Sequence, residues 1–93
     1  MNCTWDAAKA TDNLKDHGVG FDEACTVFDD EFAMHIPDDA HSFGERRFRC
    51  IGRSRQGRFL FVVYTEPEPD KPHIISAREL TRRERRDYES QNW

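Results

Sequence analysis

Arg78, Arg82 and Arg83 crowd the point where the stretch from His73 to Tyr88 changes its period. His73 to Glu79 alternates like a strand, whereas the residues from Thr81 onward are charged and helical in pattern. Thr81 and Glu84 have the spacing of a capping box, in which a hydroxyl and a carboxylate each satisfy an orphan backbone N–H at a helix start. Three guanidinium groups thus accompany unpaired backbone N–H groups and the positive end of a helix dipole, all of which favour an anion. Phosphate is the obvious ligand.

The elements that must hold this junction belong to a chain of 93 residues, the size of one small domain. Seven Phe, two Trp and two Tyr give it large apolar surfaces from few residues, so it reads as folded despite its high charge. The net charge of −4 hides a segregation. Residues 1 to 45 carry two Lys against eleven acids, or −9, whereas residues 46 to 65 carry six Arg and no acid, or +6. A local basic surface attracts polyanions whatever the total, and the preference for Arg over Lys suits bidentate phosphate binding. Cys3, Cys25 and Cys50 are odd in number, widely spaced and without a CxxC pair, which predicts free thiols in a reducing cytoplasm. No signal-like apolar run opens the sequence, and the longest apolar stretch, residues 59 to 64, is too short to span a bilayer.

Along the chain, Asp6 caps a helix over 7 to 17 that His17-Gly18 ends. Phe21, Ala24, Cys25 and Phe28 share one face of a second helix over about 21 to 29, giving a helical hairpin in residues 1–30. Residues 31 to 36 predict a short strand before Pro37, followed by a polar loop. From Arg46 the period is two, with Phe48, Cys50 and Gly52 on one face and Arg47, Arg49, Ile51 and Arg53 on the other. Ser54 to Gly57 is a turn, and residues 58 to 65 form a strand apolar on both faces, read as central and as core. Pro67, Pro69 and Pro72 make a stiff connection into a strand at 73 to 79, which precedes a helix over 81–91. The expected fold is α+β, a single domain over 1–93 in the order α-α-β-β-β-β-α. A four-stranded antiparallel sheet (31–79) carries the helices on one side.

The pattern Trp5-Asp6-x-x-Lys9-Ala10, then Lys15-x-His17-Gly18-Val19, Glu23-Ala24 and Val27-Phe28-Asp29-Asp30 resembles the BrnT family, toxins of bacterial type II toxin–antitoxin systems. The resemblance resumes at Glu45-Arg46-Arg47, Ile51-Gly52 and Tyr64-Thr65-Glu66, and closes with Ile74-Ile75-Ser76-Ala77-Arg78 and Thr81-Arg82-Arg83-Glu84-Arg85. It implies a compact RelE-like fold, ribonuclease activity that blocks translation, and inhibition by a cognate, BrnA-like antitoxin with a DNA-binding domain. Operator DNA is then met only through the antitoxin. Gly20 stands where the family leads one to expect a Ser paired with Glu23.

RNA is cleaved without a metal when a 2′-hydroxyl attacks the adjacent phosphorus, a base takes its proton and an acid protonates the leaving 5′-oxygen. Fixed guanidinium groups stabilise the charge on the nonbridging oxygens. Arg78 and Arg46 are the candidates for that role, and His17 and Lys15 for proton transfer or charge, with His73 a second histidine whose orientation decides its value. Arg82, Arg83, Arg49 and Arg53 are candidate RNA contacts, and Trp5 offers a ring for base stacking. Each has a plainer reading: solvated helix faces for Arg82 and Arg83, a carbonyl-bonded helix end for His17, a surface lysine for Lys15, a core staple for Trp5. Glu84 is assigned to capping. His35, Asp38, Asp39 and His41 are near enough in sequence to gather around a cation, but they also fit ordinary turn chemistry, so no metal or cofactor is expected. The alternative to an enzyme is a non-catalytic module of the same fold that binds antitoxin or nucleic acid.

Overall fold

The computed structural model describes residues 1–90. Strand β1 is Thr4–Trp5, followed by helices α1 (Ala7–His17) and α2 (Phe21–Thr26), the latter running into a 3-10 turn at Val27–Asp29. Strands β2 (Met34–Pro37), β3 (Arg47–Arg53), β4 (Phe59–Glu68) and β5 (Lys71–Glu79) come next, and α3 (Arg82–Glu89) closes the described chain. Residue 91, the end of the expected last helix, lies outside the described residues. The strands form one sheet in the order β1-β5-β4-β3-β2, antiparallel throughout except that β1 joins the edge of β5 in parallel. This fifth strand makes the sheet mixed. With two residues it is too short to show a period in sequence.

Local chemistry accounts for the element ends. Asp6 accepts from the N–H of Lys9 to start α1, and Gly18, left-handed at φ 69°, returns its N–H to Leu14 O to end it. Gly20 opens α2 without a side-chain cap, and Glu23 turns instead to Arg58 and Ser54. Gly52 is needed for close approach, because a Cβ there would meet Asp30, Ala33 and Val27 at 2.9–3.1 Å. The proline-rich connection is a tight hairpin: β4 runs on to Glu68, Asp70 turns at φ 60°, and β5 begins at Lys71.

The core lies between one face of the sheet and the helices α1 and α2. Val19, Phe21, Ala24 and Val27 pack on Cys50, Leu60, Val62, Tyr64, Ile74 and Ala77. Asn13, buried on α1, donates to Val19 O (2.9 Å) and Ala77 O (2.8 Å) and accepts from Ala77 N (3.1 Å). It pins the first helix to β5 by both backbone groups of one residue. The remaining helix departs from the one-sided arrangement: Arg85 and Tyr88 of α3 meet the ring of Phe59, which alternates away from the core. Phe59 and Phe61 are therefore not part of the core proper but half-buried on the second face.

The expectation of three free thiols is corrected. Cys3 and Cys25 are bonded (Cα–Cα 6.0 Å), and only Cys50 is a free, buried thiol. The pairing is invisible in sequence because pairing β1 with β5 is what carries residue 3 to the α2 surface.

Two stability changes follow. Asn13→Ala leaves the N–H and C=O of Ala77 and the Val19 carbonyl without partners, and should cost about 2–4 kcal/mol in urea unfolding. Reducing the Cys3–Cys25 bond, which closes a loop of 22 residues of sequence separation, should cost roughly 3 kcal/mol, read as a fall in melting temperature with added reductant.

Candidate nucleic-acid interface

Strand pairing sets the second face of the sheet in rows, since residues directly opposite in neighbouring strands share a face. Arg47, Thr65 and His73 form one row, Arg49, Val63 and Ser76 the next, then Ile51, Phe61 and Arg78, and finally Arg53 with Phe59. The rings carry arginines. The Arg78 guanidinium lies 4.4 Å from the Phe61 ring centre, while Arg85 (4.6 Å) and Arg53 (5.9 Å) both lie over Phe59. Stacking of this kind is worth roughly 0.5–1 kcal/mol each at an exposed site, and it holds the planar groups with their N–H edges available.

Arg78 is the most constrained member. It donates to both oxygens of Glu84 (2.7 and 3.0 Å) and to Glu79 O (3.2 Å). Glu84 in turn accepts from Thr81 N while Thr81 accepts from Glu84 N, so the capping box is present and also anchors the arginine. The Arg78 guanidinium, aided by the backbone N–H of Thr81, holds the Glu84 carboxyl down to about 2, and burial opposes this. At neutral pH Glu84 is an ionised clamp and a poor proton acceptor. Two Arg78 hydrogens, on Nε and Nη2, remain uncommitted.

The other arginines fall into two groups. Arg58 is structural: it bonds Glu23, Glu79 and the Gly18 carbonyl, and the same pair lowers the Glu23 carboxyl from its ordinary value. Nothing in a run of arginines marked it out. Among the described residues, by contrast, Arg47, Arg49 and Arg53 have no ion-pair partner, and Arg49 Nε is buried with no hydrogen bond at all. Arg82 and Arg83 are exposed on the first turn of α3.

The remaining candidates are scattered. Arg46 lies over Phe48, whose ring stacks on Tyr64 of the core face, and it approaches Asp39 at 3.9 Å. The two-residue period thus puts Arg46 and Arg78 on opposite sides of the sheet, and Arg47 and Arg49 are the residues that share Arg78's side. His17 and Lys15 are exposed on the last turn of α1, with no hydrogen bond or ion pair to the sheet arginines. Trp5 meets Phe21 edge to face (6.2 Å) and stays 37% exposed, a staple with one open side. His35 bonds the Tyr64 hydroxyl and His41 bonds Asp38, and among the described residues no three potential metal ligands gather.

Residues 5–84 match the family described as ribonuclease toxin, BrnT, of type II toxin-antitoxin system. The chain belongs to the BrnT family. It is thus a ribonuclease toxin of a type II toxin–antitoxin system, with RNA as substrate and a cognate antitoxin as partner. The fold is similar to that in the 1.1 Å crystal structure of the Brucella abortus ribonuclease toxin, BrnT. The TM-score is 0.68 at 21% identity, covering 88% of this chain and 99% of that one. No curated protein matches the sequence. Among the described residues no helix is long and apolar enough to cross a membrane.

The clamp gives this BrnT chain a pH signature. A carboxyl depressed on folding contributes stability above its unfolded value, near 4.3, and that contribution is lost as pH falls through its folded value. For Glu84 the window is about pH 4.5 down to 2. Urea unfolding of the wild type should weaken across that window more steeply than that of Glu84→Gln.

Proposed function

We propose that RNA lies as a single strand across the second face of the sheet. It is cleaved there without a metal, by attack of a 2′-hydroxyl on the adjacent phosphorus and departure of the 5′-oxygen. Arg47 and Arg49 stabilise the charge that gathers on the nonbridging oxygens, where fixed donors are worth most, and Arg78 holds the adjoining phosphate so that the strand is seated for reaction. Arg53, Arg82 and Arg83 hold flanking phosphates. The observation that carries this reading is the set of arginines without acid partners on that face, above all the buried, unpaired Nε of Arg49. Arg47 and Arg49 are half-buried, whereas arginines needed only for solubility would stand in water as Arg53 does.

The antitoxin in this reading is a BrnA-like, DNA-binding protein. It neutralises the toxin by covering the arginine face and brings it to operator DNA only indirectly. The cytoplasm, where RNA and ribosomes are found, is the site of action, and there Cys3 and Cys25 would be held as thiols. Glu84 seated on Arg78 favours a second reading as well, because a face that accepts one carboxylate accepts an acidic antitoxin segment, and binding alone would then be the function.

Cleavage of an end-labelled RNA in EDTA by the wild type and by Arg78→Ala separates the two. Cleavage that persists in chelator and falls at least about tenfold in the variant, roughly 1.4 kcal/mol in the barrier, is expected. RNA bound in a salt-sensitive way but left intact by the wild type would favour the binding module.

A further inference from the structure

The first row of the face ends in a feature that the arginine ladder does not use. A cavity of about 340 Å³ is lined by Lys9, Phe43, Glu45, Arg47, Thr65 and His73, with Ile74 and Ile75 behind them. Two cations converge on it, from α1 and from β3, and neither has an ion-pair partner among the described residues. Thr65 is 2% exposed, yet its hydroxyl oxygen has no hydrogen-bond partner. Burying a hydroxyl unpaired costs about 1–3 kcal/mol, so an unsatisfied one in the wall of a cationic cavity marks a place for a ligand oxygen. Phe43, 85% exposed, stands at the same cavity and has no packing reason to be aromatic.

His73 sits in the same row, paired to Thr65 on one side and to Thr4 of the edge strand on the other. Its Nδ1 meets the Thr4 hydroxyl at 2.7 Å. A hydroxyl can accept or donate, so Thr4 supports the imidazole in either neutral tautomer, leaving Nε2 as an acceptor in one and a donor in the other. Among the described residues Nε2 has no partner.

We infer that this cavity holds one nucleotide of the RNA and that His73 is a catalytic proton-transfer residue there. The inference rests on the ribonuclease reading above. Arg47 and Lys9 take the nonbridging phosphate oxygens, the Thr65 hydroxyl donates to one of them, Glu45 accepts from a ribose hydroxyl, and the base stacks on Phe43. Nε2 of neutral His73 removes the proton of the 2′-hydroxyl as the O2′–P bond forms. The P–O5′ bond breaks, the 5′-oxygen takes a proton from water, and the imidazolium returns its proton to solvent. The products are a 2′,3′-cyclic phosphate and a 5′-hydroxyl. Arg78, two rows away, is about 13 Å from the Thr65 row at roughly 3.3 Å per strand residue. It therefore holds a neighbouring phosphate while Arg47 serves the reacting one.

The test uses the full chain, cleavage of a labelled RNA, and binding of the same oligonucleotide with 2′-O-methyl groups, which it cannot cleave. His73→Asn should lower cleavage about 100-fold or more, the usual worth of a general base, while affinity for the methylated strand changes less than about threefold. Thr65→Val, which keeps the volume, and Arg47→Ala should each weaken that affinity, Arg47→Ala about tenfold. Cleavage by a folded His73→Asn within about threefold of the wild type would overturn the catalytic role. Unchanged affinity in both Thr65→Val and Arg47→Ala would overturn the nucleotide site. The binding arm decides even if the wild type cleaves nothing, so failure of the ribonuclease reading is told apart from failure of the cavity. If His73→Asn melts early, Thr4→Val replaces it, removing only the Nδ1 partner, and should lower cleavage without weakening binding.

Discussion

The arginine-bearing face of the sheet depends on the two-residue alternation of β4 between a covered and an uncovered side. Leu60, Val62 and Tyr64 point to α1 and α2 and are buried, while Phe59, Phe61 and Val63 point the other way and are only half-covered. Helices α1 and α2 shield one face of the five-stranded sheet, and among the described residues only the short α3 lies against the other. The uncovered aromatic rings would be a liability in water. Arginines from β3, β5 and α3 lie on them instead, which lowers the exposed apolar area, with Arg78 and Arg85 held there by Glu84 and Glu89. The same contact that hides the rings thus leaves Arg53 as the one ring-covering arginine without an acid partner among the described residues.

The chain sorts its arginines by their partners. Arg58 reaches Glu23, Glu79 and a helix-end carbonyl, and its bond to Glu23 is backed by the Ser54 hydroxyl, so it ties α2 to the turn between β3 and β4. Arg55 and Arg85 pair with Asp29 and Glu89. Asp6 is committed to capping α1, and Asp30 accepts from the backbone N–H groups of Phe32 and Arg53. Folding therefore brings half of the basic stretch onto acids of the N-terminal half, Arg46 to Asp39, Arg55 to Asp29 and Arg58 to Glu23, and leaves Arg47, Arg49 and Arg53 of β3 without an ion-pair partner among the described residues. Arg55, Arg58 and Arg49 look alike in a list of residues. Only the fold tells which of them is spent.

Much of the order of elements was legible because each carries its own period and its own stop: Asp6 and Gly18 around α1, the apolar stripe of α2, the alternating β3, the capping box of α3. The two faces of β3 were legible for the same reason. What escaped depends on tertiary placement. A two-residue strand has no period, so β1 was missed, and with it the route by which Cys3 reaches Cys25. The Phe-rich strand was read as core because a hydrophobic run does not say how many of its faces will be covered. Arg46 was grouped with Arg78 since both flank strands, but one position of register puts them on opposite sides. The value of His73 turned on its orientation, which follows from the pairing of β5 with β1.

Thr81, Glu84 and Arg78 link the stability of α3 to the geometry of the interface. One carboxylate oxygen, Oε1 of Glu84, accepts from both the Thr81 backbone and Arg78, so starting the helix and aiming the arginine are one event. Charge on Glu84 serves both ends: it favours the positive helix terminus and holds the guanidinium over Phe61. This restraint limits what Arg78 can do, since most of its donors are already committed. It also means that the two donors that remain are held in place in advance, so an anion meeting them requires little reorganisation of the side chain. A more mobile arginine would bind an anion as well, but it would lose conformational freedom on binding, and the clamp removes that loss in advance.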